Sequence, residues 1–342
     1  MKNYLRLYSR CIPVKGFCRS IIYDFDKNSY DFIPNSLYNL LKENQGLLAI
    51  NLPLSFKGKE RVYIQEYIDF LKEKEFVFPC SKEENKRFPM LDLTWKSYSA
   101  ITNAIIYLHE NIHNLMKIIQ DLTSLLCKNL LFIATTFSKE DLTTLSLHTK
   151  YQNINSISLY IENHNSIDKD YLVRFIQENK RIKRIILCSF PKEEVIYENK
   201  AQLQIIMSVT FSCHICHRRM RTWDSFFPEL TLYCESLSYN SCLNRKVAID
   251  YNGFIKNCPN FTEHYGNIND VSLIDVLPRM GKFWDISKNK IEVCRICEYR
   301  HMCIDCRFHI KDTSNIYSQP LNCNYNPYIA KWKGEAGFRP IQ

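Results

Sequence analysis

Seven cysteines toward the carboxyl end fall into one spacing: C-x10-G-x4-C, a gap, C-x2-C-x5-C-x2-C, a second gap, and a last C. They are Cys242, Cys258, Cys294, Cys297, Cys303, Cys306 and Cys323, with Gly253 at the glycine position. Thiolates two and five apart converge on one metal centre without a large fold to gather them. Four soft sulfur ligands select zinc or an iron–sulfur cluster. A zinc ribbon would use four of the seven and leave the others incidental. Seven exceed one zinc site, and a hairpin pair precedes the quartet, so iron–sulfur is the preferred expectation and zinc the alternative.

Those thiols must be positioned by the rest of the chain. Its 342 residues leave room for two or three domains. Apolar residues make up 46% and charged residues 24%, the balance of an ordinary globular protein. No apolar run approaches the roughly 18 residues a spanning helix needs. The start, MKNYLRLYSRCIPVKG, lacks the apolar core of a secretory signal, so a cytoplasmic protein is expected. In a reducing compartment the cysteines read as ligands or reactive thiols more readily than as disulfides. The net charge of +9 comes from scattered basic residues. The densest groups, Arg181/Lys183/Arg184 and Arg218/Arg219/Arg221, are too short to announce a nucleic-acid face.

Residues 1–90 read as a small α+β unit. Arg6–Val14 and Ser20–Asp26 are strand-like and end in the turn-forming Asp26-Lys27-Asn28-Ser29. Pro34-Asn35-Ser36 starts a short helix, and Arg61–Lys74 places Tyr63, Tyr67, Phe70 and Leu71 on one helical face. Phe76–Pro79 reads as a returning strand and Ser81–Phe88 as a loop. These are the parts of a winged helix, a module that can hold a peptide as an added strand; a small cap with no partner is the plain alternative.

Residues 95–210 alternate strand and helix. Ile157, Leu159 and Ile161 alternate with Ser158 and Tyr160, while Leu115, Ile118, Ile119, Leu122, Leu125 and Leu126 follow the helical period. Leu172, Phe175 and Ile176 make another helical stripe, and Leu130–Ala134 and Arg184–Cys188 add strands. Ile101–Leu108 fits a first strand or an extension of the following helix. Four or so βα units give an open parallel sheet or a partial barrel. Residues 211–330 then change character. Lys246–Ile255 reads as a hairpin turning at Asn252-Gly253, in a region expected to be held by metal more than by apolar burial.

The cysteine array resembles the SPASM domain, the auxiliary-cluster module of peptide-modifying radical enzymes. The resemblance implies two 4Fe-4S clusters on interleaved cysteines. Cys242, Cys258 and Cys306, with one upstream ligand, would hold the first; Cys294, Cys297, Cys303 and Cys323 would hold the second. Cys234 lies nearest the family's spacing for that upstream ligand, with Cys216 or Cys213 of Cys213-His214-Ile215-Cys216-His217 as alternatives. Two rather than three residues separate Cys303 from Cys306, a departure from the family's pattern. The C-x3-C-x2-C triplet that opens one iron to S-adenosylmethionine in radical enzymes occurs nowhere in the chain. Generation of the 5′-deoxyadenosyl radical is therefore not expected.

Further segments look like the SPASM-domain maturase of grasp-with-spasm ribosomal peptide systems. They are Cys242-Leu243-Asn244-Arg245-Lys246, Ile255-Lys256-Asn257-Cys258-Pro259, Tyr265-Gly266-Asn267-Ile268, Cys323-Asn324-Tyr325-Asn326-Pro327-Tyr328 and the N-terminal Cys11-Ile12-Pro13-Val14-Lys15-Gly16. The resemblance implies two partners, a short precursor peptide and an ATP-grasp ligase that joins its side chains by ester or amide formation.

A competing motif is His109-Glu110-Asn111-Ile112-His113, an H-E-x-x-H that on a helix would place two imidazoles toward zinc. No G-x-x-H follows it and no third ligand is evident, so a coincidental match is preferred. The resulting expectation is an α/β chain: a winged-helix-like peptide-binding unit at 1–90, a partial βα domain at 95–210, a SPASM-like iron–sulfur domain at 211–330, and a tail at 331–342. Its expected role is peptide maturation with one or two 4Fe-4S clusters. A catalytic iron–sulfur enzyme and a zinc-binding adaptor or nucleic-acid-binding protein are the alternatives.

Overall fold

The computed structural model describes residues 2–108, 114–150, 152–163, 168–200, 203–208 and 226–341. The chain is a mixed α/β protein that divides into two compact units. The first unit takes 1–95, 221–241 and 286–342; the second takes 96–220 and 242–285. Among the described residues no helix is long and apolar enough to cross a membrane.

The amino end forms β1 (Tyr4–Leu7), β2 (Cys11–Val14), β3 (Ser20–Asp24) and β4 (Ser29–Ile33), then α1 (Asn35–Glu43), β5 (Leu47–Ala49), α2 (Gly58–Glu73), β6 (Val77–Cys80) and α3 (Lys82–Asn85). Two three-stranded antiparallel sheets result, ordered β5-β1-β6 and β2-β3-β4. The single strand expected over Arg6–Val14 is in fact two, because Cys11 N–H donates to the Tyr8 carbonyl and turns the chain between sheets. Ser81–Phe88 is not all loop either. Ser81 and Glu84 make a reciprocal capping box that starts α3.

β3 is buried along its whole length because both of its faces are covered. Alternation sends Ile22 toward Leu37 and Leu41 of α1 and toward Ile68 and Leu71 of α2. Ile21 and Tyr23 face the other way, into a core of Phe226, Tyr233, Tyr299, Tyr325 and Trp332. That second core carries the cysteine-rich segment.

The second unit runs β7 (Asn103–Leu108), α4 (Leu115–Ser124), β8 (Asn129–Thr136), α5 (Lys139–Thr149), β9 (Ser156–Asn163), α6 (Lys169–Glu178), β10 (Ile182–Leu187), β11 (Glu194–Glu198) and β12 (Gln204–Met207). After α7 (Leu230–Ser238), which belongs to the first unit, come β13 (Lys246–Ile249), β14 (Ile255–Lys256) and α8 (Leu273–Val276); β15 (Tyr325–Asn326) and β16 (Lys331–Trp332) close the first unit. Helix starts are capped by Asn114, Ser138 and Asp168, each accepting a main-chain N–H of its first turn.

The eight-stranded sheet is open, ordered β11-β12-β10-β9-β8-β7-β13-β14, with antiparallel strands at its two edges and parallel pairing between. The ambiguous stretch before Leu108 is therefore its strand β7. Register places one buried residue from each strand but β11 in a row: Ile255, Ile249, Ile106, Phe132, Leu159, Ile185 and Ile205. The row crosses into the hairpin, so apolar burial ties 242–285 to the sheet. Val247, Ile268, Leu273, Val276 and Met280 join the same core. Gly253, at φ +86°, closes the hairpin turn, and a Cβ there would meet the Asn267 amide at 2.8 Å.

Candidate functional site: the cysteine-rich corner

The segment from 286 to 306 has little regular structure and is set by local turns. Val293 has φ 63° and ψ −45°, and Cys294 N–H donates to the Glu292 carbonyl at 2.6 Å. This is the strained form of the γ-turn, on a β-branched residue that disfavours positive φ. It feeds a short 3-10 turn, Cys294–Ile296, in which Cys297 N–H donates back to the Cys294 carbonyl at 3.0 Å. The C-x2-C pair is thereby folded into one corner.

Four thiols share that corner. Cys297 is pushed well above the ordinary thiol range, first by burial and then by Glu298, Cys323, Cys294 and Cys303. Cys294 is pushed up to about 12 by burial, opposed by Lys288 and reinforced by Cys303, Asp305 and Cys323. Cys303 and Cys323 thus act on both Cys294 and Cys297. Burying several sulfur anions together is unfavourable unless a positive centre compensates them. Among the described residues no three Cys, His, Asp or Glu side chains close on a point fit for a single metal ion. Four thiolate donors are the chemistry of a zinc site or of an iron–sulfur cluster.

The walls are specific. Asp305, between Cys303 and Cys306, accepts from Asn240 Nδ2 at 2.7 Å and pairs with Arg307 at 2.6 Å and Lys288 at 3.4 Å; its own N–H donates to Ser241 Oγ at 2.9 Å. The Lys288, Asp305 and Arg307 side chains are 2%, 0% and 0% exposed. Lys288 Nζ stands 3.9 Å from Cys294 Sγ. On another side, Glu298 takes Arg19 Nε at 2.9 Å and the Tyr325 hydroxyl at 2.5 Å. A methyl group at Gly16 would overlap the Arg19 carbonyl and press on Glu298 Cβ and Oε2, each at 3.0 Å. His301 Nδ1 lies 2.9 Å from Ser236 Oγ, whose proton goes to the Tyr233 carbonyl, and burial drops the imidazole pKa to about 3. Cys323 borders a cavity of about 370 Å3 that also touches Lys311, Gln319, Lys333 and Phe338.

Cys234, on α7, is half-buried against the same aromatic core as Cys297, Cys303 and Cys323, and its thiol is raised by burial and then by Asp92 and Glu229. Cys306 Sγ accepts from His309 N–H at 3.5 Å. Cys242 and Cys258 belong to the second unit; Cys242 Sγ lies 3.3 Å from Lys246 Nζ, and Cys258 is buried after the hairpin. Cys213, Cys216, His109, Glu110 and His113 lie outside the described residues. Lys288, Asp305, Arg307 and Glu298 were not singled out from sequence. An Asp between the two cysteines of a C-x2-C was the available signal.

No protein-family model matches the chain. No curated protein matches it. Among solved structures it is similar to Streptococcus suis SuiB in three crystal structures. The first is at 13% identity and TM-score 0.31, and the second, bound to S-adenosylmethionine, at 12% and 0.33. The third, bound to precursor peptide SuiA, is at 11% and 0.28. Each comparison covers 93% of this chain and 99% of the SuiB chain.

Proposed function

We propose that this chain is an iron–sulfur protein of peptide maturation, which binds a ribosomally made precursor and presents it to a separate ATP-grasp ligase. The observation that supports the metal reading is that Cys297, Cys303 and Cys323 pack half-buried against one aromatic core, with the buried Cys294 folded onto Cys297 by a 3-10 turn. These four would hold one 4Fe-4S cluster. Cys242, Cys258 and Cys306 with Cys234, or Cys216 or Cys213 in its place, would hold a second. Such a group supplies compensating positive charge and a rigid cross-link. The chain's own part is to bury the thiols, exclude water with Tyr299, Tyr325 and Trp332, and fix the loops through Asp305 and Glu298. The maturation role and the ligase partnership rest on the sequence resemblance, and without a C-x3-C-x2-C triplet no 5′-deoxyadenosyl radical chemistry is expected of this chain.

Anaerobic purification followed by iron, sulfide and zinc quantification tests the metal reading. Iron with matching sulfide supports it; stoichiometric zinc without sulfide overturns it. For the maturation role, a precursor peptide and an ATP-grasp ligase encoded beside this chain, if found, are combined with and without this protein, and precursor mass is followed. Dehydrated products should form faster and in greater number when this protein is present. Equal yields from the ligase alone would remove the maturation role.

A further inference from the structure

We propose that Lys288 tunes the sulfur-bound centre: its buried ammonium donates to the Cys294 sulfur and makes iron bound there easier to reduce. This rests on the iron–sulfur reading above. Lysine is almost never fully buried unless paired. Here the side chain is 2% exposed, with its nitrogen 3.9 Å from Cys294 Sγ and 3.4 Å from Asp305 Oδ1.

The position of that nitrogen is enforced by its neighbours. Asp305 is gripped by Asn240 Nδ2 at 2.7 Å and by Arg307 Nε and Nη2 at 2.6 and 2.7 Å. Arg307 is in turn locked by the carbonyls of Ile316 and Ser318, both at 2.9 Å. A carboxylate so fixed holds the ammonium against the sulfur and leaves it little freedom to swing away. Lys288 itself sits in a 3-10 turn, Lys288–Lys290, a few residues before the γ-turn that presents Cys294. One short stretch of chain therefore supplies both the ligand and the cation beside it.

The physical effect has a definite sign. An N–H···S contact draws charge from the ligating sulfur, and a nearby cation favours the more negative of two oxidation states. In a water-poor interior such a charge acts more strongly than at the surface. The reaction probed is the uptake of one electron from dithionite by the oxidised centre, with no bond made or broken and no proton moved.

The experiment compares wild type, Lys288→Met and Lys288→Arg as full chains, loaded anaerobically, with iron and sulfide measured before a spectroscopic redox titration. Lys288→Met should disfavour the reduced form about tenfold, ~59 mV for a one-electron couple, while Lys288→Arg stays near wild type. An unshifted midpoint in Lys288→Met with full iron content overturns the proposal. If Lys288→Met fails to hold iron and Lys288→Arg retains it, the need for a cation is supported; loss from both overturns the proposal. Wild type free of iron and sulfide overturns the cluster reading itself, a result distinct from an unshifted potential.

Discussion

The hydroxyl of Tyr23 donates to the main-chain carbonyl of Glu298 at 2.6 Å, joining the middle of β3 to the residue after Cys297. Tyr23 is 0% exposed, and burial holds its hydroxyl well above the ordinary tyrosine range, so it acts as a neutral donor. The sheet at the amino end therefore braces the loop that carries the C-x2-C corner.

Replacing Tyr23 by Phe keeps the ring and strands the Glu298 carbonyl. A buried acceptor without a donor costs ~1–3 kcal/mol, so Tyr23→Phe should lower unfolding free energy by that amount. Urea titration followed by circular dichroism measures it. A change below ~0.5 kcal/mol would mean that water takes over the carbonyl.

Val293→Gly tests the strained turn. A half-buried valine changed to glycine ordinarily destabilises through lost packing and added chain entropy. At φ 63° the substitution also relieves ~1–2 kcal/mol of backbone strain, so the net change should stay within about 1 kcal/mol. A loss above ~3 kcal/mol would show that Val293 contributes packing and little strain.

Cys127 gives a pH prediction. It is 1% exposed in the core of the second unit, and burial pushes its thiol up to about 12 from an ordinary value of 9.0. The folded state keeps its proton where the unfolded chain loses it. The stability this contributes is full below pH ~9 and is lost as pH rises toward 12, at up to ~1.4 kcal/mol per pH unit. Cys127→Ala should therefore unfold less steeply with rising pH above 9, whatever its stability at pH 7. An unchanged slope in denaturant melts across that range would contradict this.

Cys297→Ala should remove most of the iron assigned to Cys294, Cys297, Cys303 and Cys323, while Cys80→Ala, at a buried thiol of the amino-terminal sheet, should leave iron content intact. Iron per folded chain, with folding checked by circular dichroism, decides the matter. Equal iron in both variants would place the metal elsewhere.

The βα alternation was readable because Ile157, Leu159 and Ile161 repeat every second residue, while Ile118, Ile119 and Leu122 repeat at the helical period. Those patterns report local burial, and local burial is all they report. The pairing of β13 with β7 was not readable, since Val247–Ile249 looks the same in a free hairpin as beside a sheet. The break between β1 and β2 was hidden for a similar reason: Tyr8-Ser9-Arg10 carries no glycine or proline to mark a turn. Ser81-x-x-Glu84 has the spacing of a capping box, which is legible in the sequence. At the candidate site, cysteine spacing could be read directly. The positive φ of Val293 runs against its propensity, and the placement of Lys288 beside a sulfur leaves no trace in spacing, so neither could be inferred.

The parallel register of Ile249 beside Ile106 carries a consequence for biosynthesis. While the ribosome is still making the chain between Leu108 and Lys246, strand β7 has no neighbour on its outer side. Its unmet amides and apolar side chains are then open to other nascent chains. Protection arrives only when the distant hairpin emerges, so messages cut short before that point should yield sticky, chaperone-bound fragments.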